Sequence, residues 1–346
     1  MLEAQRPERL ATIVSRLAEL LAPSVERGMQ CLFLAGNHDS AHTFELLRGV
    51  QRLLGERHAA RVRFVSEPAL VPLAAGGRTA AAVVALPYPT AAAYGLPGDL
   101  RTVQDKRAAL SDAVADAGEL LSARAEREHP GVPLLMAGHF LLRHVDAPTG
   151  LREVPELEDV HVEGAPLERF AYVALGHVHQ PLVLAERIRY SGALDRVDFA
   201  EAGEPRHAVL AELARDGGLT LEELPLDATP MVRVEVGALS EIARRARALE
   251  EPERTIVKLE LRLERTDVAS LWLAQARQSF PRLFAPPDIF RLDEPDPPVL
   301  TGAIEPLSAP ATVRAFLADQ LADDPDRATL LALAEQLLGE EGLLPG

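Results

Sequence analysis

Apolar residues in the first two-thirds of the chain recur in two textures, helical stripes and short unbroken runs. Leu10, Ile13, Val14, Leu17, Leu20 and Leu21 share one face of a helix predicted over 7–26, and Pro7 suits its first turn. Gly28 closes the stripe. Cys31-Leu32-Phe33-Leu34-Ala35 is then a continuous apolar run, the pattern of a strand covered on both faces. The turn Gly36-Asn37-His38-Asp39 follows, with a second stripe, Phe44, Leu46, Leu47, Val50 and Leu53, for which Asp39 or Ser40 is placed to cap the helix. Further runs predict strands at 62–66, 80–87, 133–137 and 170–175, and a long amphipathic helix over 103–127 ahead of Pro130-Gly131. Strands at 187–192, 207–213 and 219–224 complete the series. Strands alternating with helices predict an α/β layered domain over residues 1–226.

The texture then changes. Met231–Val236, a helix from Ser240, the strand Thr255–Glu264, a helix from Asp267 and the strand Asp288–Leu292 predict a small βαβαβ unit within a second domain, 227–305. Val257, Leu259, Leu261 and Leu263 alternate with Lys258, Glu260, Arg262 and Glu264, which predicts one covered face and one wet face. A proline-rich stretch, Glu294 to Pro310, is read as a linker. In 306–346, Val313, Phe316, Leu317 and Leu321, then Leu330, Leu331, Ala334, Leu337 and Leu338, describe two short amphipathic helices split by Asp323-Asp324-Pro325.

Charge and composition narrow the function classes. The 346 residues carry 36 Lys+Arg against 52 Asp+Glu, a formal charge of −16, which argues against gripping nucleic acid through the overall field but not against a local site. No apolar run approaches the roughly 20 residues of a bilayer span, and the opening MLEAQRPERL lacks a signal-like apolar core. The lone cysteine, Cys31, excludes an intramolecular disulfide and fits a reducing cytoplasm. Lys106 and Lys258 are the only lysines and Asn37 the only asparagine, in a chain rich in Arg, Ala, Leu and Pro. An asparagine that persists in such a composition invites a chemical reason.

Three turns share one layout, an apolar strand, then glycine, then metal-capable side chains: LFLAGNHD (32–39), LLMAGH (134–139) and VALGHVH (173–179). A glycine at a strand end lets the backbone turn sharply and projects the next side chains from the carboxyl edge of the sheet, where α/β proteins gather their sites. Imidazole nitrogen and amide oxygen are neutral donors suited to manganese, iron or zinc. His42, His58, His129, His144, His161 and His207 are read as surface or structural residues.

GNHD, then GH about a hundred residues on, then GHVHQP, resembles the calcineurin-like metallophosphoesterase superfamily. More narrowly, YVALGHVHQP (172–181) followed by IRYSGALDRVDFAE (188–201) resembles the SbcD-type exonuclease subunits of bacterial SbcC–SbcD complexes. The resemblance implies a metallophosphoesterase sandwich over 1–226, a capping domain over 227–305 and partner-binding helices over 306–346. It implies a site of two divalent metals, usually manganese, with Asn37, His139 and His177 on one metal and His179 on the other. His38 would stabilise the phosphate transition state and protonate the leaving oxygen, and Asp39 would orient His38. It further implies phosphodiester hydrolysis at DNA ends or hairpins, an SbcC-type ATPase with a coiled coil as partner, possible homodimerisation and a cytoplasmic setting.

The chain also departs from the family pattern. Family members open with a strand ending in Asp-x-His, a helix, and a strand ending in Gly-Asp-x-x-Asp, which together supply three ligands, including an aspartate that bridges the metals. This chain begins at the helix leading into GNHD, so the expectation is an amino-terminally truncated sandwich, short by about 50 to 70 residues. Asp159-Val160-His161 matches Asp-x-His in letters but lies in a charged stretch, and Gly98-Asp99 lacks a second aspartate at the required spacing. Neither is taken as a substitute. At most one weakly held metal is expected, since neutral donors do little to offset the dehydration of a dication. Two other functions compete with the nuclease: a non-cleaving scaffold subunit of the same complex, and a phosphoesterase for small phosphodiesters or phosphoproteins.

Overall fold

The computed structural model describes residues 7–53, 60–97, 102–142, 161–162, 167–214, 216–264, 266–291, 327–328 and 330–333. Two units account for the chain: one comprises Met1–Leu261 and Ser270–Asp288, the other Arg262–Ala269 and Ile289–Gly346.

The first unit is built on a six-stranded mixed sheet. Its strands are β3 (Ala69–Ala75), β4 (Arg78–Leu86), β5 (Leu134–His139), β8 (Tyr172–Gly176), β9 (Leu182–Ala185) and β10 (Ile188–Tyr190), in the order β3-β4-β5-β8-β10-β9. The four central strands run parallel, and β3 and β9 close the two edges antiparallel. The apolar run of β4 is buried on both faces, as central parallel strands require. Alternate side chains then serve two cores. Val84 and Leu86 join Met136, Val173, Leu175 and Tyr190 in a core with Val114 and Leu121 of α3 (Val103–Glu128). Val83 and Ala85 face the other way, with Leu32 and Leu34 of β1 (Cys31–Leu34) and Val65 of β2 (Val62–Val65). Each such buried aliphatic side chain contributes about 1.5–3 kcal/mol. Thr102 caps α3 by accepting the Asp105 N–H at 3.0 Å.

β1 and β2 pair parallel, residue for residue from Cys31↔Val62 to Leu34↔Val65. They are flanked in sequence by α1 (Pro7–Glu26) and α2 (Ala41–Leu53), the two helices that the apolar stripes predict. The stripes give the helices but not their burial. Ile13, Leu20, Leu46, Val50 and Leu53 are all exposed, and Phe44 is the buried anchor of α2. Two-residue strands β6 (Leu141–Leu142) and β7 (His161–Val162) pair parallel beside the main sheet. A hairpin of β11 (Arg206–Leu213) and β12 (Leu219–Leu226) follows.

The predicted βαβαβ order is present as β13 (Met231–Val236), α4 (Leu239–Arg247), β14 (Ile256–Leu263), α5 (Ala269–Ser279) and β15 (Leu283–Arg291), in sheet order β13-β14-β15. Along β14, Val257, Leu259, Leu261 and Leu263 are buried and the residues between them are not, the alternation read from sequence.

Besides the two-residue strands β6 and β7, which the sequence reading does not include, three strands depart from it, two of them because of proline. β3 carries Pro72 and β15 carries Pro286-Pro287, which argue against a strand in a sheet interior. Both are edge strands, where one side of the backbone has no ladder partner to lose. β9, a four-residue edge strand directly after Pro181, is too short to show a period. The linker 294–310 and the stripe Val313–Leu321 lie outside the described residues, as do Asp99 and Asp159. Residues 330–333 are helical, with Leu330 and Leu333 exposed. Among the described residues no helix is long and apolar enough to cross a membrane.

Candidate metal centre

Parallel strands end at a common edge, and the register fixes which ends meet. His139, the last residue of β5, is paired with Gly176, the last of β8, so His177 leaves the sheet beside the His139 imidazole. The two rings stand 5.3 Å apart between centroids, at 71°. β1 delivers the third element. The Ala35 carbonyl, just past its end, accepts the Tyr88 N–H at 2.9 Å and ties the GNHD turn to the end of β4. Across this junction Asn37 Oδ1 lies 3.2 Å from His139 Nε2.

The two glycines beside His139 leave room for its ring and for nothing more. A Cβ on Gly36 would stand 2.7 Å from its Cε1, and one on Gly176 would stand 2.9 Å from its Nδ1. Neither is needed for a left-handed backbone. Their missing side chains are the space in which the imidazole lies. His177 itself has φ 92°, the one positive value at a non-glycine among the described residues. A histidine held in this costly region marks a position fixed by its surroundings.

The GNHD turn closes on itself. The Gly36 N–H donates to Asp39 Oδ2 at 2.8 Å, and the Asp39 N–H donates to the Gly36 carbonyl at 3.2 Å. One oxygen of the Asp39 carboxylate thus braces the turn's own backbone, and Asn37 and His38 are exposed.

His179 is held by a different set of groups. Its Nδ1 lies 2.9 Å from Glu201 Oε1, and the other oxygen of Glu201 accepts from the Arg206 guanidinium and, at 3.1 Å, from the Val197 N–H. The Arg206 side chain is fully buried, and its Nη1 donates to the His179 carbonyl at 2.7 Å. Gln180, next in sequence, donates to Glu204 at 2.7 Å.

Three contributors escape a reading of the sequence. Tyr88 packs against both histidines, 6.2 Å from the His139 ring and 5.8 Å from that of His177. Its available signal was its place: it follows the buried strand β4 and lies between two prolines. Glu201 falls inside the segment quoted for the resemblance but carries no metal-ligand spacing of its own. Arg206 had no signal, since nothing in sequence separates a buried arginine from an exposed one. The histidines set aside as structural fit that role where they are described. His129 is the C-cap residue of α3, and His207 lies 3.8 Å from a Glu223 oxygen.

The donor set, one amide oxygen and imidazole nitrogens, fits a first-row divalent metal, and the glycine cradle keeps the central imidazole in place. Among the described residues no group of three His, Cys, Asp or Glu side chains converges tightly enough to hold a metal without the asparagine. No protein-family model matches the chain, and no curated protein matches it.

Proposed function

We propose that the chain is a metal-dependent phosphodiester hydrolase of SbcD type, built on a metallophosphoesterase sandwich and cutting DNA ends or hairpins beside an SbcC-type ATPase. The observation that carries this reading is the meeting of Asn37 and His139 across 102 positions of sequence, with His177 packed on the same imidazole. A chance glycine–histidine turn gives one isolated imidazole; here the turns that end β5 and β8 of the six-stranded sheet meet the turn that follows β1 of the two-stranded sheet.

Asn37, His139 and His177 would hold one metal, and His179 would serve a second. Bound divalent manganese supplies Lewis acidity and activates water for in-line attack on phosphorus. The chain's own residues do the rest. His38, exposed beside Asn37, is able to face a substrate, where its imidazole donates a proton to the departing oxygen. Tyr88 stands edge-on to His139 and tilted to His177, an aromatic neighbour to both imidazoles. The net charge of −16 opposes a phosphate backbone, so binding to DNA falls to this local site and to the partner.

One observation favours a second reading, a non-cleaving scaffold subunit: the donors in contact at the site, Asn37, His139 and His177, are all neutral. Cleavage assays separate the readings. Labelled DNA ends and hairpins are offered beside bis-p-nitrophenyl phosphate, with manganese, with and without an SbcC-type partner. Manganese-dependent cutting of DNA, abolished by His177→Ala, is the expected result. Capture of the partner without cutting would establish the scaffold, and turnover of the small diester alone would establish a small-substrate enzyme.

A further inference from the structure

Glu201 grips His179 from a distance of 22 positions, and its other oxygen is fixed by a buried cation, so its direction is set before any ligand arrives. A carboxylate only accepts hydrogen bonds, so the nitrogen facing it, Nδ1, must carry the proton. The neutral ring then keeps its lone pair on Nε2, the reverse of the tautomer that unconstrained histidine side chains favour. The main chain is fixed by the same segment. The His179 carbonyl accepts from Arg206 Nη1 at 2.7 Å and from the Ala193 N–H at 2.9 Å. Gly192, at φ +80°, passes so close that its Cβ would stand 2.9 Å from that carbonyl oxygen.

We infer that Glu201 is a positioning residue for His179: it selects the Nδ1–H tautomer and aims the Nε2 lone pair outward as a metal ligand, with Arg206 holding Glu201 in place. The His179 side chain is 41% exposed, so the outward edge of the ring is open to an ion. A surface ion pair alone would not require a fully buried guanidinium behind the carboxylate. Carboxylates behind ligating imidazoles commonly account for 10- to 100-fold in metal affinity. The inference rests on the metal reading above for the identity of the ligand, though not for the tautomer.

Long-range proton–nitrogen NMR on histidine-labelled, metal-free chain tests it, with His179 assigned by the signal lost in His179→Gln. The Nδ1–H tautomer is expected in the wild type and a mixture in Glu201→Gln. Glu201→Asp keeps a negative charge near Arg206 but withdraws the carboxylate from the ring, and serves if Glu201→Gln fails to fold. Manganese is then titrated as the probe. Paramagnetic broadening of the His179 ring signals should need about 10- to 100-fold more manganese in either variant. The Nε2–H tautomer in the wild type, or an unchanged broadening midpoint in a folded variant, would overturn the inference. A correct tautomer with no broadening at His179 in the wild type would overturn its ligand role and count against the metal reading itself.

Discussion

A Cβ placed on Gly36 would stand 2.7 Å from Cε1 and 2.9 Å from Nε2 of His139, closer than side-chain atoms tolerate. On its other side the ring lies against Gly176 of β8, where an added Cβ would likewise stand 2.9 Å from its Nδ1. Two glycines, one in the turn after β1 and one ending β8, thus leave the space in which this imidazole lies, with Nε2 facing Asn37.

Gly36→Ala should consequently leave the fold intact and impair the site. Gly36 has an ordinary backbone conformation, so alanine adds contact and not backbone strain. Manganese affinity, read by electron paramagnetic resonance, should fall at least about tenfold, the scale for a ligand turned from its aim. Unchanged affinity with an unchanged melting temperature would show that His139 is not a ligand.

His38→Ala should separate chemistry from metal binding. His38 is exposed in the turn beside Asn37, the residue proposed as the metal ligand there. Loss of a proton donor costs about 10²- to 10⁴-fold in rate. Cleavage should fall by that factor with bound manganese unchanged by elemental analysis; lost manganese would make His38 a ligand.

Arg206→Leu tests stability at the other histidine. Its guanidinium is buried against Glu201 and spans to the His179 carbonyl, so removing it leaves a carboxylate only 13% exposed without its countercharge. Breaking a buried pair this way costs about 3–5 kcal/mol. Urea unfolding should show the midpoint lowered and the slope unchanged. A loss under about 1 kcal/mol would place the pair among weak surface bridges.

Much of this fold can be read from the sequence because period and burial agree. Val257, Leu259, Leu261 and Leu263 alternate in sequence and are buried alternately in β14. The GNHD, GH and GHVH turns fall where the runs before them end, at the ends of β1, β5 and β8. What sequence withholds is partnership. Pro72 reads as a breaker until β3 is known to be an edge. Leu20 and Leu53 read as core until the structure leaves them 62% and 85% exposed. Tyr88, Glu201 and Arg206 follow no period, and only the folded chain brings them to the histidines.

Asp195 should impose a pH dependence on stability. Partial burial works to raise its pKa, but hydrogen bonds from the Thr229 hydroxyl and from the Arg196 and Thr229 N–H groups, with the nearby Arg196 charge, outweigh it and hold the pKa below the usual value. A carboxyl more acidic in the folded chain stabilises it above the ordinary aspartate range, about pH 4, and that contribution fades as pH falls through the folded value. Asp195→Asn should therefore be less stable than the wild type at neutral pH, with the gap closing in acid. A gap that stays constant from pH 7 to about pH 2 would rule out the charge as its source.

Asn37→Asp should strengthen metal binding, because charge and not donor number is what the site lacks. Asn37, His139 and His177 offer an amide oxygen and imidazole nitrogens, all neutral. A dication losing its water gains little from neutral donors, and affinity at oxygen-rich sites rises with the count of charged ligands. Aspartate keeps an oxygen where Oδ1 now lies, 3.2 Å from His139 Nε2, and adds a full negative charge. The added charge would also favour protonated His139, which competes with metal, so the comparison belongs at about pH 8, above the ordinary histidine range. There the wild type should bind manganese weakly at this site, and Asn37→Asp should bind at least about tenfold more tightly, about 1.4 kcal/mol. Isothermal titration gives both numbers. Equal or weaker binding by the aspartate variant would mean that Asn37 does not touch the metal, and that its contact with His139 serves only to hold the turn.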